Sequence, residues 1–323
     1  MNVEYAFVIN LDSRADRLRQ IQKDFQDTSI KNKLTRWNAI YGKELAEETI
    51  KRVTSKTCNY ICSPGMIGCW LSHYTLWQYI ARNNLDNVLI LEDDAVPAAD
   101  FDKKLAKILP QIPTDYDLVY LGCFGSCDTV GNKDLYVRKR KVVDLFIPTM
   151  PLGLHGYMLS NKGARKLVQY EELKKVRYHI DFALFYYIYN NDKDFDVYAV
   201  KDSIITQASN ISSSDILVDE HPLVNKVLDK IPVTRNSNMA HVMNTQLFAV
   251  RHADIRITWF IILFAVVALL VGIYGSDDTV MRYFYFWCGL YVAELLMSKT
   301  PSLFELFIHI SFVYVGRKFL RKY

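Results

Sequence analysis

Two apolar periods, near two and near 3.6, alternate along the first half of the chain. Glu4 to Leu11 holds the β-branched and aromatic run YAFVINL, a buried strand, and the period then changes, with Leu18, Ile21 and Phe25 at helical spacing behind Asp12 or Ser13 as cap. Leu34 to Ile40 reads as a second strand and Gly42 to Val53 as a helix, while Asn59 to Pro64 reads as loop. Trp70, Tyr74, Trp77 and Ala81 fall at i, i+4, i+7 and i+11, an aromatic core face on a helix from about Met66 to Arg82. Asn87 to Leu91 is a continuous apolar strand of the kind buried on both faces; it stops at the acidic triplet Glu92-Asp93-Asp94, and Pro97 prevents its continuation.

Beyond the triplet the spacing predicts a helix from Phe101 to Leu109, a strand from Asp117 to Leu121, a loop from Gly122 to Lys133 and a second, Pro- and Gly-punctuated loop from Pro148 to Gly156. Helices Lys162 to Tyr170 and Asp181 to Tyr189, strand Val197 to Val200 and a polar loop from Gln207 follow. This alternation is that of an α/β domain with a mixed, mostly parallel sheet, ending near residue 250.

The remainder, residues 251 to 323, is different in kind. From Ile257 to Ser276 there is no charge, which predicts a transmembrane helix. Tyr283 to Met297 and Ser302 to Gly316 are shorter and carry Glu294 and Glu305, so two C-terminal transmembrane helices are expected, or three. Arg251, His252 and Arg256 before the first span and RKFLRKY at the C-terminus place both ends in the cytosol by the positive-inside rule. The opening MNVEYAFVINL has no signal-peptide character. The expectation is a multi-pass membrane protein whose catalytic domain faces the cytosol.

Cysteine use agrees with that placement. Cys58, Cys62, Cys69, Cys123, Cys127 and Cys288 show no dense disulfide framework and read as reduced core thiols; the two C-x3-C pairs have an unusual spacing for a zinc knuckle. The net charge of +4 is not gathered into a stripe, which argues against a nucleic-acid partner. The basic tail suits anionic lipid headgroups better.

The triplet is the strongest chemical signal. Carboxylates at the C-terminal end of a buried parallel strand lie where open α/β sheets bind ligands, and oxygen-only ligands select hard cations such as Mn²⁺ or Mg²⁺. A solvated acidic turn that caps a helix gives the same residues without function.

VINLDSRADR (Val8 to Arg17) resembles the opening of glycosyltransferase family 25, which includes lipooligosaccharide biosynthesis transferases and collagen galactosyltransferases. WNAIYG (Trp37 to Gly42), SPGMIGCWLSHYTLW (Ser63 to Trp77), LILEDDA (Leu89 to Ala95), DLVYLG (Asp117 to Gly122), GLHGYMLSNKGARKL (Gly153 to Leu167) and HID (His179 to Asp181) continue in the same order. The resemblance covers residues from about 3 to 215 and none of the apolar tail.

The resemblance implies a GT-A-type nucleotide-sugar-binding domain in which the EDD element holds a metal through Glu92 and Asp94, with Asp94 foremost and Asp93 assisting. Asn10, Asp12, Arg14 and Arg17 then lie near the nucleotide, where guanidinium forks suit phosphate oxygens. His155, in GLHGY, completes the metal sphere, touches the donor sugar or simply packs; His73 reads as a structural, hydrogen-bonded histidine. Asp181 accepts the proton of the acceptor hydroxyl, or only caps its helix.

The implied reaction moves a hexose, galactose by family analogy, from a nucleotide-diphosphate sugar to a glycan, protein or lipid-linked acceptor. Two rivals stand beside it, a catalytically inactive membrane-tethered scaffold that binds glycans or sugar nucleotides, and a metal-dependent phosphoesterase. The phosphoesterase would need more His and Asp ligands than the sequence gathers.

Overall fold

The computed structural model describes residues 2–126, 135–137, 140–191, 194–208, 221–234, 237–250, 255–295 and 303–321. The chain divides into two compact units, Met1–Ser209 and Asn210–Tyr323.

The first unit is built on a seven-stranded sheet. Its strands are β1 (Tyr5–Asn10), β2 (Leu34–Asn38), β3 (Val88–Glu92), β5 (Leu118–Ser126), β8 (Leu145–Phe146), β9 (Met150–Leu159) and β10 (Val197–Val200). The short strands β4 (Ala95–Pro97), β6 (Leu135–Val137), β7 (Arg140–Val142) and β11 (Ile205–Gln207) lie outside it. The order across the sheet is β2-β1-β3-β9-β5-β10-β8. Pairs β1–β2, β1–β3 and β5–β10 are parallel, whereas β3–β9, β5–β9 and β8–β10 are antiparallel.

The sheet is therefore mixed, as expected, but not mostly parallel. The difference comes from β9, because part of it lies in the segment that reads as loop. Pro151 and Gly153 fall at its start, where β9 pairs only with β5, and Gly153 takes a φ of 80°. Gly156 lies inside the ladder, where a Cβ would come within 2.7 Å of the Ile205 side chain. The punctuation is a requirement for close approach, not for a turn.

Successive strand residues point to opposite faces, and both faces are covered. Phe7, Ile9, Val88, Ile90, Leu118, Tyr120, Tyr157 and Leu159 pack with Trp70 and Trp77 of helix α4 (Pro64–Arg82), Leu167 of α6 (Asn161–Gln169) and Leu184 of α7 (Ile180–Asn190). Ala6, Val8, Leu89, Leu91, Val119 and Met158 pack with Ile21 and Phe25, on and just beyond α1 (Ala15–Asp24), and with Phe101 and Leu105 of α5 (Phe101–Ile108). The aromatic stripe read from sequence is core.

Two further helices of this unit, α2 (Glu47–Val53) and α3 (Cys58–Ile61), carry Ile50 and Cys58 into the first of these clusters. Cys58 is joined by a disulfide to Cys62, whose Cα is 4.8 Å away, within ordinary bridging reach. Cys123 is likewise disulfide-bonded. These cysteines are buried, as the sequence suggests, but oxidised, which corrects the reading of reduced thiols and removes a four-thiolate zinc site.

The second unit contains α8 (Pro222–Leu228), α9 (Met239–Asn244), the hairpin β14 (Gln246–Val250) and β15 (Ile255–Thr258), and helices α10 (Trp259–Tyr274), α11 (Asp277–Leu295) and α12 (Leu303–Val315). The strands β12 (Pro232–Thr234) and β13 (Ser237–Asn238) form a second small hairpin. Phe260, Phe264 and Trp287 pack with Val224, Leu228 and Met243.

Among the described residues, no helix is long and apolar enough to cross a membrane. This overturns the expected C-terminal transmembrane helices and the multi-pass, cytosol-facing placement, and it leaves a membrane partner held through those helices without support. The apolar run beginning at Ile257 starts in β15, and the Thr258 hydroxyl accepts from the Ile261 amide as helix cap. The helix that follows has 16 residues, about 24 Å at 1.5 Å per residue, against roughly 30 Å of hydrocarbon. Helix α11 has 19 residues but includes Asp277, Asp278, Arg282 and Glu294, and α12 has 13.

Candidate active site

Strands β1, β2 and β3 run parallel and end at one edge of the sheet, with Asn38 opposite Asn10 and Glu92 opposite Ile9. Asp93 and Asp94 turn the chain from β3 into β4. Strand β9 enters at the same edge, where Gly156 pairs with Leu91 on one side and Gly122 on the other, so that His155 arrives beside Glu92.

The three acids have different surroundings. Asp93 is tied down: its Oδ1 accepts from Arg17 Nη1 at 2.9 Å and its Oδ2 from Asn10 Nδ2 at 2.7 Å. Burial pushes its carboxyl up despite Arg17 and Asn10. Asn10 Nδ2 also donates to the Arg14 carbonyl, and Asn10 Oδ1 accepts from Arg36 Nε. Asn10 and Arg17 thus brace the triplet from the first strand and helix. Asp12 faces outward in an ion pair with Arg36, whereas Arg14, largely covered, pairs with Asp16.

Glu92 faces the interior on its other side. His73 Nε2 lies 3.1 Å from Glu92 Oε1, and His73 Nδ1 lies 3.0 Å from the Tyr157 hydroxyl. That hydroxyl also accepts from Trp77 Nε1 at 2.8 Å. An indole only donates, so the phenolic proton is directed to Nδ1 and the imidazole carries its own on Nε2, donating to the carboxylate. Burial pushes Glu92 up, but His73, then His155 and Arg17, outweigh it and hold the carboxyl below its ordinary value.

Asp94 has the opposite balance. Burial, then the charge of Glu92, pushes its carboxyl up to about 7. Gln207 Nε2 donates to its Oδ2 at 2.8 Å, whereas Oδ1 is buried with no hydrogen-bond partner among the described residues. The alignment of β11 with β4 brings Gln207 opposite Ala95.

Asp181, in the first turn of α7, accepts from the Gly153 amide at 3.1 Å and from the Phe182 amide at 2.8 Å. His155 is buried, and a Cβ on Gly122 would come within 2.6 Å of its Nε2. Burial, followed by the charges of Glu92, Asp181 and Asp94, holds the Cys69 thiol well above its ordinary value. Helix α4, strand β3, strand β9 and helix α7 therefore converge on one place.

A metal fits part of this donor set. The bare Oδ1 of Asp94, beside a second carboxylate that repels its charge, is a combination that a divalent cation stabilises. The sequence reading missed Gln207, because nothing in a polar loop announces a three-residue strand paired 110 positions away. It also passed over Cys69, although Cys69 and His73 stand at i and i+4 on the predicted helix.

Residues 4–184, more than half of the chain, match Glycosyltransferase family 25 (LPS biosynthesis protein). The chain belongs to glycosyltransferase family 25. It is 30% identical over 198 residues to procollagen galactosyltransferase 1-B of Xenopus laevis, covering 54% of this chain and 30% of that protein. It is 28% identical over 184 residues to procollagen galactosyltransferase 2 of Homo sapiens, covering 52% and 28%, and 29% identical over 190 residues to a glycosyltransferase 25 family member of Drosophila melanogaster, covering 54% and 29%. The chain thus spans less than a third of the length of these relatives.

Proposed function

We propose that this protein is a metal-dependent glycosyltransferase that moves a hexose, galactose first among candidates, from a nucleotide-diphosphate sugar to a hydroxyl on a protein or glycan. Family membership and relatives named galactosyltransferases support the reaction class. The observation that supports the metal is Asp94 Oδ1, buried next to Glu92 with no hydrogen-bond partner among the described residues.

In this reading Asp94 and Glu92 hold Mn²⁺ or Mg²⁺, whose charge neutralises the diphosphate as the sugar leaves it. Gln207 fixes the Asp94 carboxylate, and the His73–Tyr157–Trp77 chain fixes Glu92. Asp181 accepts the proton of the attacking hydroxyl, held in direction by the Gly153 amide. His155 lines the sugar side. Asn10 and Arg17 keep the turn in place through Asp93, and Asp12 and Arg14, at the same end of the first strand, meet the nucleotide.

A donor screen tests the proposal. Each sugar nucleotide is incubated with Mn²⁺ or with EDTA, and release of nucleoside diphosphate is measured. Turnover that EDTA abolishes and that Asp94→Asn lacks supports it; turnover indifferent to both removes the metal from the reading.

A further inference from the structure

Cys69 and His73 are one helical turn apart on α4 and share a face. With Glu92 of β3 they bring a thiol sulfur, a ring nitrogen and a carboxylate oxygen within 4.8 Å of one another. We propose that these three side chains form a second cation site, selective for thiophilic divalent ions of the zinc and cadmium class, behind the carboxylate pair. It takes no ligand from Asp94 but shares Glu92 with the proposed catalytic ion, so its effect on turnover rests on the sugar-transfer reading, whereas ion binding itself does not.

Three observations support it. A tetrahedral ion with bonds of about 2.0 to 2.3 Å places its ligands somewhat over 3 Å apart, so only a small contraction is needed. Three protein ligands then leave a fourth position to water, the arrangement of open zinc sites. His73 Nδ1 is already oriented by the Tyr157 hydroxyl, and Tyr157 by Trp77, an outer layer of the kind that fixes ligating imidazoles.

Binding conserves atoms simply. The Cys69 thiol proton leaves to solvent, and His73 exchanges its Nε2 proton for one on Nδ1, which requires the Tyr157 hydroxyl to turn its own proton away and accept from Nδ1 as it does from Trp77. One proton is released per ion, and imidazole stays neutral. Thiolate and imidazole ligands favour zinc over manganese or magnesium. Because Glu92 belongs to both donor sets, an ion held here withdraws it from the outer one, and zinc inhibits.

The experiment uses the full chain, stripped with EDTA and titrated with Cd²⁺, reading the ultraviolet absorption of a cadmium–thiolate bond. One equivalent is expected to produce the band. Cys69→Ser abolishes it and weakens cadmium by at least the roughly 10–100-fold that loss of an outer partner alone costs. Replacing the exposed Cys288 by Ser leaves the band in place, and so does Asp94→Asn, which separates this site from the manganese reading. In the unmutated protein, one equivalent of Zn²⁺ shields Cys69 but not Cys288 from alkylation, a readout that needs no variant to fold. A band that persists in Cys69→Ser, or Cys69 alkylated at the same rate with and without zinc, overturns the proposal.

Discussion

Arg17 Nη1 donates to Asp93 Oδ1 at 2.9 Å, with both side chains largely buried. The middle acid of the triplet is therefore neutralised by an arginine that sequence reading directs at phosphate, and the outer two acids are left for an ion.

Removing one partner strands the other charge, which costs about 3–5 kcal/mol for a buried pair. Asp93→Asn and Arg17→Met should each lower the melting temperature, and the double variant should fall by clearly less than the sum. A thermal double-mutant cycle measures this coupling. If Arg17 instead mainly grips nucleotide, only Arg17→Met will raise the donor KM.

Asp94 gives a pH prediction whose sign follows from its folded carboxyl lying near 7, above its ordinary 3.8. Between those values the folded state binds the extra proton, so this residue's contribution makes metal-free stability fall as pH rises through the window. In EDTA at pH 8, Asp94→Asn should melt higher than the parent, by about 2–4 °C for each kcal/mol, and the advantage should vanish below pH 4. With Mn²⁺ at pH 8 the order reverses, because only the parent gains from the ion. Scans in EDTA and Mn²⁺ at both pH values check it.

Asp181→Asn can keep an oxygen for the Gly153 amide but gives up the acceptor of the Phe182 amide and cannot take a proton. Turnover should fall by about 10²–10⁴-fold, the usual worth of a general base, with little change in melting temperature. Unchanged kcat would leave Asp181 only as the tie between β9 and α7.

Gly68→Ala should fail structurally. Its Cβ would meet the Ile40 carbonyl oxygen at 2.4 Å and the Gly42 nitrogen at 2.8 Å, both backbone atoms. A loss of at least about 1–3 kcal/mol is expected from overpacking, seen in urea melts. Gly42→Ala, facing the Pro64 carbonyl, should behave alike.

Much of the first unit is legible because strand and helix periods are unambiguous there. Ala6 and Val8 face one layer and Phe7 and Ile9 the other, as a strand buried on both sides requires. The blocks WNAIYG and SPGMIGCWLSH are legible as motifs, but their reason is not: Ser72 Oγ accepts from the Ile40 amide and donates to the Gly68 carbonyl, locking the helix to the segment after β2. Strand β9 is hidden because close approach and chain reversal both call for glycine. The tail misleads because hydropathy counts Ile257 and Thr258 as span, while hydrogen bonding assigns them to a hairpin and a cap.

Strand β9 also sets an order on the making of the sheet. It fills the gap between β3 and β5, so until residue 159 is present both of those neighbours carry an open ladder of amides and carbonyls. A chain interrupted before that point leaves β3 open on one side and β5 on both, since β10 also comes later, and nascent or truncated forms will need shielding that the longer polypeptide supplies for itself.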